Sequence, residues 1–264
     1  MLGLLRKFYR EETREASSFH KALTYSYYFV FGAVSFAVSR NVAKSLFRNY
    51  LKVGFIPMRI TLKDGIVINH HLEDYTVFFE MLLYDEYDFK NLPPGSVVVD
   101  VDANIGLVSV LAEKRRGAKK VVSFEPCSDN FAFLKKNVEE NSCKNIVLNK
   151  AAVADKTGTV KLFLHSSGTH SISGMKPGKH YETVDLTTLD ASLAGVDGID
   201  LLKIDVEDAE LSVLQGAKET LKRTQRIAME WTSMCSHEEI LKILEDSGFD
   251  ADVRKNIVFA VKHS

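Results

Sequence analysis

The chain of 264 residues is long enough for one large hydrophobic core, or for a core with a small second unit beside it. Apolar residues make up 45% of the chain and charged residues 26%, which is typical of a soluble globular protein. The formal net charge of −1 argues against a protein held on nucleic acid by bulk charge, so we expect no nucleic-acid partner. Three cysteines without CxxC spacing argue against a disulfide framework or a structural zinc site, so we predict no metal and a reducing, cytoplasmic location.

The amino-terminal segment carries the opposite net charge from the rest of the chain. Residues 1–60 contain ten Lys or Arg against three Glu, a net charge of +7, which leaves −8 for the remaining residues. Residues 22–39 form an uncharged, aromatic stretch whose length is at the threshold for a membrane-spanning helix. Glycine, serine and tyrosine in this stretch favour a buried or interfacial helix over a true span. The segment therefore predicts a peripheral contact with an anionic membrane surface, with a span as the alternative.

A hairpin and a helix are predicted between this segment and a break in the chain. Met58–Leu62 and Ile66–Asn69 alternate between apolar and polar residues and are joined by a turn that contains Asp-Gly, which is a good hairpin signal. Glu73–Tyr87 has apolar residues at helical spacing, and a Leu-Pro-Pro-Gly break follows it. We therefore predict an amino-terminal helical and hairpin annex, residues 1–94, and a second domain, residues 95–264.

The second predicted domain alternates short apolar runs with helical stretches. This alternation predicts an α/β, Rossmann-like fold with a mostly parallel, doubly wound sheet, whose strands are joined by crossover helices. The predicted strands are Val97–Val101, Lys120–Phe124, Ile146–Leu148, Leu201–Val206, Arg226–Trp231 and Ile257–Val261. The predicted helices are Ile105–Arg116, Asp129–Glu140, Ala209–Leu221 and Glu238–Asp246.

In such a sheet a ligand binds at the carboxyl ends of the strands, beside the turn that follows the first strand. In that turn Asp100 can accept a hydrogen bond from a ligand amine, and Gly106 lets the next helix begin close to the ligand. Glu125 ends the second strand 25 residues after Asp100, near the spacing of a carboxylate that binds a ribose diol; a solvated strand-end acid is the alternative. Because the turn has one glycine and two aspartates, it would repel the phosphates of NAD, which argues against a dehydrogenase.

Several short blocks between residues 100 and 230 carry the most specific pattern in the chain. They are Asp-Val-x-Ala-Asn-Ile-Gly at 100–106, Ser-Phe-Glu-Pro at 123–126, Asn130, Ala-Ala-Val-Ala-Asp at 151–155, Thr-Leu-Asp at 188–190, the block from Asp200 to Glu210, and Met229-Glu230. Together they resemble the FkbM-type class I methyltransferases. The resemblance implies S-adenosylmethionine as the cofactor and O-methylation of a hydroxyl on a sugar, a glycan or another small-molecule acceptor. It also implies a cofactor site formed by Asp100, Asp102, Asn104, Gly106, Glu125, Pro126, Asn130 and Ala152.

Two aspartates depart from the family pattern. Asp102 and Asp208 stand where the family usually has glycine. At position 102 a side chain adds bulk and a negative charge near the carboxylate of the cofactor. At position 208 we expect the aspartate to cap the next helix in place of the glycine. The alternative to an active enzyme is therefore a catalytically weakened or inactive FkbM-like module that binds a ligand or a membrane.

The implied reaction is an in-line displacement at a sulfonium methyl group, in which positioning contributes most and a base helps to remove the hydroxyl proton. Asp205, at the end of the fourth strand, is the first candidate for positioning or deprotonating the acceptor, and Glu207 and Glu230 are supporting candidates. His170 is a further candidate because it lies in the middle of a Gly/Ser-rich loop, residues 165–180, that can cover the acceptor side. The alternative for Asp205 is a strand-end acid that only caps the next turn. The alternative for His170 is a solvated loop histidine.

Overall fold

A computed structural model describes residues 59–62, 64–70, 87–165, 170–173, 180–232, 236–254 and 256–263. The chain divides into two compact units, residues 1–84 and residues 85–264, and the second unit begins upstream of the domain start predicted at residue 95. Among the described residues, no helix is both long and apolar enough to cross a membrane. The stretch at 22–39 and nearly all of the helix predicted at 73–87 lie outside the described residues.

The first unit contains the predicted hairpin. Strands β1 (Arg59–Thr61) and β2 (Val67–Asn69) pair in antiparallel fashion, with Thr61 opposite Val67. Gly65 adopts a φ of 86°, and its N–H donates to the carbonyl of Leu62 at 2.9 Å. The Asp-Gly signal therefore gave the correct turn, because glycine reaches this left-handed backbone without steric cost.

The second unit contains ten strands, six α-helices and a short 3₁₀ helix at Phe89–Asn91 among its described residues. The strands are β3 (Val97–Val101), β4 (Lys120–Phe124), β5 (Ile146–Asn149), β6 (Ala152–Val153), β7 (Gly158–Leu164), β8 (His180–Thr187), β9 (Leu201–Ile204), β10 (Arg226–Glu230), β11 (Phe249–Arg254) and β12 (Ile257–Lys262). The helices are α1 (Leu107–Lys114), α2 (Ser128–Glu140), α3 (Leu189–Ser192), α4 (Glu210–Gln215), α5 (Lys218–Lys222) and α6 (His237–Asp246).

A seven-stranded sheet in the order β11-β12-β10-β9-β3-β4-β5 forms the centre of this unit. Strands β5, β4, β3, β9 and β10 are parallel to one another, whereas β12 pairs antiparallel with both β10 and β11. Every residue of β3 and β9 is buried. Since successive residues of a strand point to opposite faces, both faces of the sheet are covered at these strands. The predicted mostly parallel, doubly wound sheet is therefore confirmed, and the predicted bounds of β3 and β4 match the structure.

The strand order reverses beside β3. The chain runs from β3 to β4 and β5 on one side and then returns to β9 on the other side of β3. Two connections therefore leave the carboxyl ends of β3 and β9 in opposite directions and open a crevice between them, which is where ligands bind in sheets of this kind. The residues that follow Val101 and Ile204 lie at this crevice.

A second sheet of three strands, in the order β6-β8-β7, is missing from the predicted elements. Strands β7 and β8 pair in antiparallel fashion from Gly158↔Leu186 to Leu164↔His180. Its buried side chains join a small apolar cluster with Cys127, which is 4% exposed. Only Leu162 of β7 and Val184 and Leu186 of β8 are buried, which leaves a weak apolar signal in the sequence.

The helical stretch predicted at 209–221 is divided into α4 and α5. At the junction, a Cβ added to Gly216 would overlap the carbonyl of Ala154. The chain therefore passes close to the neighbouring backbone at this point. The close approach requires glycine and interrupts the helix.

Candidate functional site

The turn after β3 contains three residues with a left-handed backbone. The φ angles are 63° at Asp102, 51° at Asn104 and 84° at Gly106. Between them, the N–H of Ala103 donates to the carbonyl of Phe124 at 2.8 Å, which fastens the turn to the end of β4. Aspartate and asparagine are the residues other than glycine that tolerate this conformation best. The position at which the family usually has glycine therefore needs a left-handed backbone, and Asp102 supplies it.

Asp208 is the second of these substitutions, and it has a φ of 66°. Helix α4 has Ala209 as its N-cap, without a side-chain cap hydrogen bond, so the expectation that Asp208 caps this helix is wrong. The aspartate is tolerated here for the same reason as at position 102: it accepts a left-handed backbone.

Glu125 accepts two backbone hydrogen bonds, one of them from the turn after β3. Its Oε2 accepts a hydrogen bond from the N–H of Asn104 at 2.7 Å, and its Oε1 accepts one from the N–H of Cys127 at 2.8 Å. The side chain is 1% exposed. A carboxylate oxygen has lone pairs for more than one hydrogen bond, so these two contacts leave acceptor capacity on Glu125. Binding of a ribose diol by Glu125 stays a prediction.

Asp102 and Glu125 form a pair of neighbouring carboxyl groups. Burial, followed by the charge of Glu125, raises the pKa of Asp102 well above its usual range. Burial also raises the pKa of Glu125, against the lowering effect of its backbone hydrogen bonds and of a hydrogen bond with Asp102. The pair therefore keeps a proton at pH values where exposed carboxyl groups have lost theirs. This weakens the repulsion that a carboxylate at position 102 was expected to exert on a ligand carboxylate.

Lys203 lies in the middle of β9, and its side chain is 4% exposed. Its ammonium group lies 3.3 Å from Asp100 Oδ1 and 3.3 Å from Asp205 Oδ2. Burial alone would lower the pKa of Lys203, but Asp205, Asp100 and Asp102 outweigh burial and raise it. Lys203 is therefore a buried cation that carries its full charge.

Asp100 has a different position from the one predicted. It is fully buried, its Oδ2 accepts a hydrogen bond from Ser109 Oγ at 2.6 Å, and its Oδ1 faces Lys203. Both oxygens are thus directed into the protein and not towards a ligand amine. The predicted contact between Asp100 and a ligand is therefore replaced by an ion pair with Lys203.

Asp205 occupies the carboxyl end of β9, and its side chain is 33% exposed. Its Oδ2 accepts a hydrogen bond from the hydroxyl of Tyr87 at 2.9 Å. Burial would raise the pKa of Asp205, but Lys203 and hydrogen bonds with Glu230 and Tyr87 outweigh burial and lower it. Asp205 is consequently ionised and well oriented. Such a group is a strong hydrogen-bond acceptor and a weak base.

A cleft beside the turn brings several of the predicted site residues together. Its polar lining residues are Asp102, His170 and Glu207, which come from three segments of the chain, and Ala151 also lines it. His170 is placed there by a bridge between Phe163 and Ser171. The apolar lining consists of Val101, Phe124, Pro126, Ala152, Val153, Leu162, Ile172, Val206 and Ala209.

Five of the predicted cofactor residues are not part of the cleft lining, namely Asp100, Asn104, Gly106, Glu125 and Asn130. A Cβ added to Gly106 would overlap Leu134 Cδ1 of α2, so this glycine allows two helices to pack closely, in addition to any approach to a ligand. Asn130 is 3% exposed in the first turn of α2.

Lys203 and Tyr87 are absent from the predicted site. One signal for Lys203 was present, since a lysine inside the apolar run Leu201–Ile204 has to be paired if it is buried. Tyr87 had no such signal, because its partner Asp205 is 118 residues away in the chain.

The model of the methyltransferase FkbM domain matches residues 100–251, more than half of the chain. The chain belongs to the FkbM methyltransferase family. It is 27% identical to methyltransferase sdnD of Sordaria araneosa over 68% of this chain and 83% of that protein. It is also 27% identical to the 31-O-demethyl-FK506 methyltransferase FkbM of Streptomyces tacrolimicus, over 64% of this chain and 78% of that protein.

The crystal structure of methyltransferase FkbM from Methylobacillus flagellatus KT has the same fold, with a TM-score of 0.50 and 16% identity. The alignment covers 72% of this chain, which spans about half (53%) of the length of that structure. The family assignment confirms the predicted methyltransferase, and the family implies S-adenosylmethionine as the methyl donor.

The residues of the cleft fit this donor. S-adenosylmethionine has no phosphate and carries an ammonium and a sulfonium group, so the acids Asp102 and Glu207 do not oppose its binding. The walls formed by Phe124, Pro126 and Leu162 offer apolar contact to a flat base. The site of this FkbM-family chain therefore combines acidic and apolar lining residues, which suits a cationic ligand with a flat base.

We expect Asp102→Asn to flatten the pH dependence of stability. Because the folded protein raises the pKa of Asp102, the protonated form stabilises the fold, and this contribution is lost as the pH rises through the raised pKa. Asparagine cannot ionise and still accepts the left-handed backbone. Urea unfolding at about pH 5 and at about pH 9 measures this effect. The unfolding free energy should fall less between these two pH values in the variant than in the wild-type protein.

The carboxyl group, rather than the new amide, should be responsible for this difference. Asp102→Gly removes the carboxyl without adding an amide and should show the same flattened profile. Equal losses in the wild-type protein and both variants would contradict a raised pKa at Asp102.

Proposed function

We propose that this methyltransferase transfers the methyl group of S-adenosylmethionine to a hydroxyl group of a small-molecule or glycan acceptor. The observation that carries the proposal is the ionised carboxylate of Asp205, which is partly exposed at the crevice and held by Tyr87 and Lys203. A fixed carboxylate accepts a hydrogen bond from a hydroxyl and directs its oxygen. Support also comes from the relative of Streptomyces tacrolimicus, which is named a 31-O-demethyl-FK506 methyltransferase.

Residues on one side of the crevice would bind the cofactor, and residues on the other side would bind the acceptor. The apolar walls and the turn after β3 would hold the cofactor, with Asp102 and Glu207 near its cationic groups. When bound, S-adenosylmethionine supplies a methyl group on a sulfonium, which is activated for in-line displacement. Asp205 orients the acceptor hydroxyl, and His170, which lines the cleft beside the turn, is the candidate for taking its proton. The Phe163–Ser171 bridge fixes the residue next to His170 beside β7.

The alternative function, a catalytically weakened module, rests on Asp102 and Asp208 as obstacles to the cofactor. Both residues adopt the left-handed backbone that the family glycine provides, and Asp102 keeps a proton that reduces its negative charge. These two observations support an active enzyme.

Methyl-labelled S-adenosylmethionine, offered with sugars, phenols, amines and carboxylic acids, tests the proposal. We expect label in hydroxyl-bearing acceptors as methyl ethers, which resist mild alkali, whereas methyl esters are hydrolysed. Asp205→Asn should lower the rate by about 10–100-fold, because the amide loses the charge that orients the hydroxyl. Asp200→Asn is the matched control: Asp200 accepts the N–H of Val97 at the other end of β9, and its replacement should leave the rate nearly unchanged.

Two results would contradict the proposal. Label that enters only amines or carboxylates would exclude a hydroxyl acceptor. A wild-type protein that does not bind S-adenosylhomocysteine in calorimetry would exclude the proposed donor.

A further inference from the structure

Lys203 contacts both sides of the crevice at once. It is the one lysine among the buried side chains of the described residues. Its Nζ donates to the carbonyl of Asp102 at 2.7 Å and lies 3.4 Å from the carbonyl of Val101. The same atom lies 3.3 Å from carboxylate oxygens of Asp100 and Asp205. The ring of Tyr87, whose hydroxyl bonds Asp205, is 5.6 Å away at its centroid.

Four oxygens of the protein surround the ammonium group, two of them backbone carbonyls that accept its hydrogen bonds and two of them carboxylate oxygens at ion-pair distance. With its side chain only 4% exposed, Lys203 offers almost no surface to a ligand. Its effect on a ligand has to pass through the groups that it holds.

The groups that Lys203 holds belong to the two halves of the site. The carbonyls of Val101 and Asp102 belong to the turn that lines the cleft, and Asp102 is the residue with the left-handed backbone. Asp205 is the carboxylate on the acceptor side. Since β3 and β9 are neighbours in the sheet, one side chain of β9 reaches both groups across the crevice.

We propose that Lys203 is a positioning residue that couples the two halves of the site, holding the turn at 101–102 for the cofactor and Asp205 for the acceptor. The acceptor half of this role rests on the proposed function, whereas the cofactor half is independent of the acceptor. Without Lys203, the carbonyl of Asp102 loses its charged donor and Asp205 loses its adjacent cation. Both changes loosen the geometry that methyl transfer needs.

A single Lys203→Met replacement is a poor test because it leaves Asp100 as an unpaired charge in the core. The double variant Lys203→Met/Asp100→Asn removes both charges, and the amide oxygen of the new asparagine still accepts the hydrogen bond from Ser109. Asp100→Asn alone is the reference. Ser109→Ala is the matched control, because it removes a buried hydrogen bond to Asp100 without touching the turn or Asp205.

The measurement is the dissociation constant of S-adenosylhomocysteine by calorimetry, with thermal melting to confirm that each variant is folded. We expect the double variant to bind about 10–100-fold more weakly than Asp100→Asn, as for the loss of a hydrogen bond from a charged donor. Ser109→Ala should bind like the wild-type protein. In ¹³C NMR, the carboxylate signal of Asp205 is identified as the one that is absent in Asp205→Asn. The pKa read from this signal should rise when Lys203 is replaced, since Lys203 lowers the pKa of Asp205 in the wild type.

The outcomes separate this role from the proposed function. A folded double variant that binds S-adenosylhomocysteine as tightly as Asp100→Asn would overturn the role of Lys203. Equal weakening in Ser109→Ala would also overturn it, because general loosening of the buried network would then explain the loss. A wild-type protein without measurable affinity would overturn the proposed function as well.

Discussion

Glu125→Ala should lower the free energy of unfolding by about 2–4 kcal/mol and weaken the binding of S-adenosylhomocysteine at the same time. The reason is that the carboxylate of Glu125 accepts the backbone N–H groups of Asn104 and Cys127 inside the protein. Alanine removes this partner from the buried N–H of Cys127 and the partly buried N–H of Asn104, and an unsatisfied buried donor costs about 1–3 kcal/mol. The turn after β3 then loses one of the contacts that fix it to the end of β4. Urea unfolding and calorimetry measure the two effects.

A second variant separates the role in folding from contact with the ligand. Glu125→Gln keeps one oxygen acceptor and should lose less stability than Glu125→Ala. If Glu125 also binds the ribose, the wild-type protein should prefer S-adenosylhomocysteine to its 2′,3′-dideoxy analogue, and this preference should shrink in Glu125→Gln. An unchanged preference in the variant would remove the ribose from the role of Glu125. Unchanged stability in Glu125→Ala would contradict the hydrogen bonds themselves.

The central sheet was predictable because its strands carry a strong local signal. Val97–Val101 is buried at every position, so that it appears in the sequence as an uninterrupted apolar run between polar turns. The sheet formed by β7 and β8 was missed because β7 buries only Leu162 and β8 buries only Val184 and Leu186 in a small apolar cluster. Strand β11 was missed for the same reason, since it contains only one fully buried residue, Phe249. A fully buried strand is therefore recognised from its own residues, whereas a half-buried strand depends on partners elsewhere in the chain.

The candidate site was also predictable only in part. The positions of Asp102, Glu125 and Asp205 at strand ends followed from the alternation of strands and helices, because parallel strands place their carboxyl ends at one edge. Which side chain faces the ligand did not follow. Asp100 is directed into the core because residues alternate along β3, and Lys203 of the neighbouring strand meets it there.

The two substituted glycines illustrate a limit of the family pattern. Other family members usually have glycine at positions 102 and 208. A glycine in the family pattern indicates either a lack of space for a side chain or a left-handed backbone, and the sequence does not distinguish these two reasons. The φ angles of 63° and 66° favour the second reason. Aspartate satisfies it and glycine is not essential there, in contrast to Gly106 and Gly216, where the added Cβ would overlap neighbouring atoms.

Gly106→Ala should lower the free energy of unfolding by about 2–4 kcal/mol, through two separable causes. The first cause is the left-handed backbone, with φ at 84°, and the second is the overlap of the new Cβ with Leu134 Cδ1. Gly95→Ala is the matched control, because Gly95 has a φ of 81° and a Cβ there meets nothing within 4 Å. That control should lose only about 1–2 kcal/mol, the cost of the backbone alone.

The remaining loss in Gly106→Ala should depend on Leu134. In a Leu134→Ala background the atom that the new Cβ would meet is absent, so the further cost of Gly106→Ala should fall to that of Gly95→Ala. Urea unfolding of the four members of this cycle measures the difference. A cost of Gly106→Ala that is the same in both backgrounds would show that the contact between α1 and α2 does not require this glycine. The left-handed turn that carries Asp102 into the cleft would then be the sole reason for Gly106, because the backbone geometry would account for the full effect.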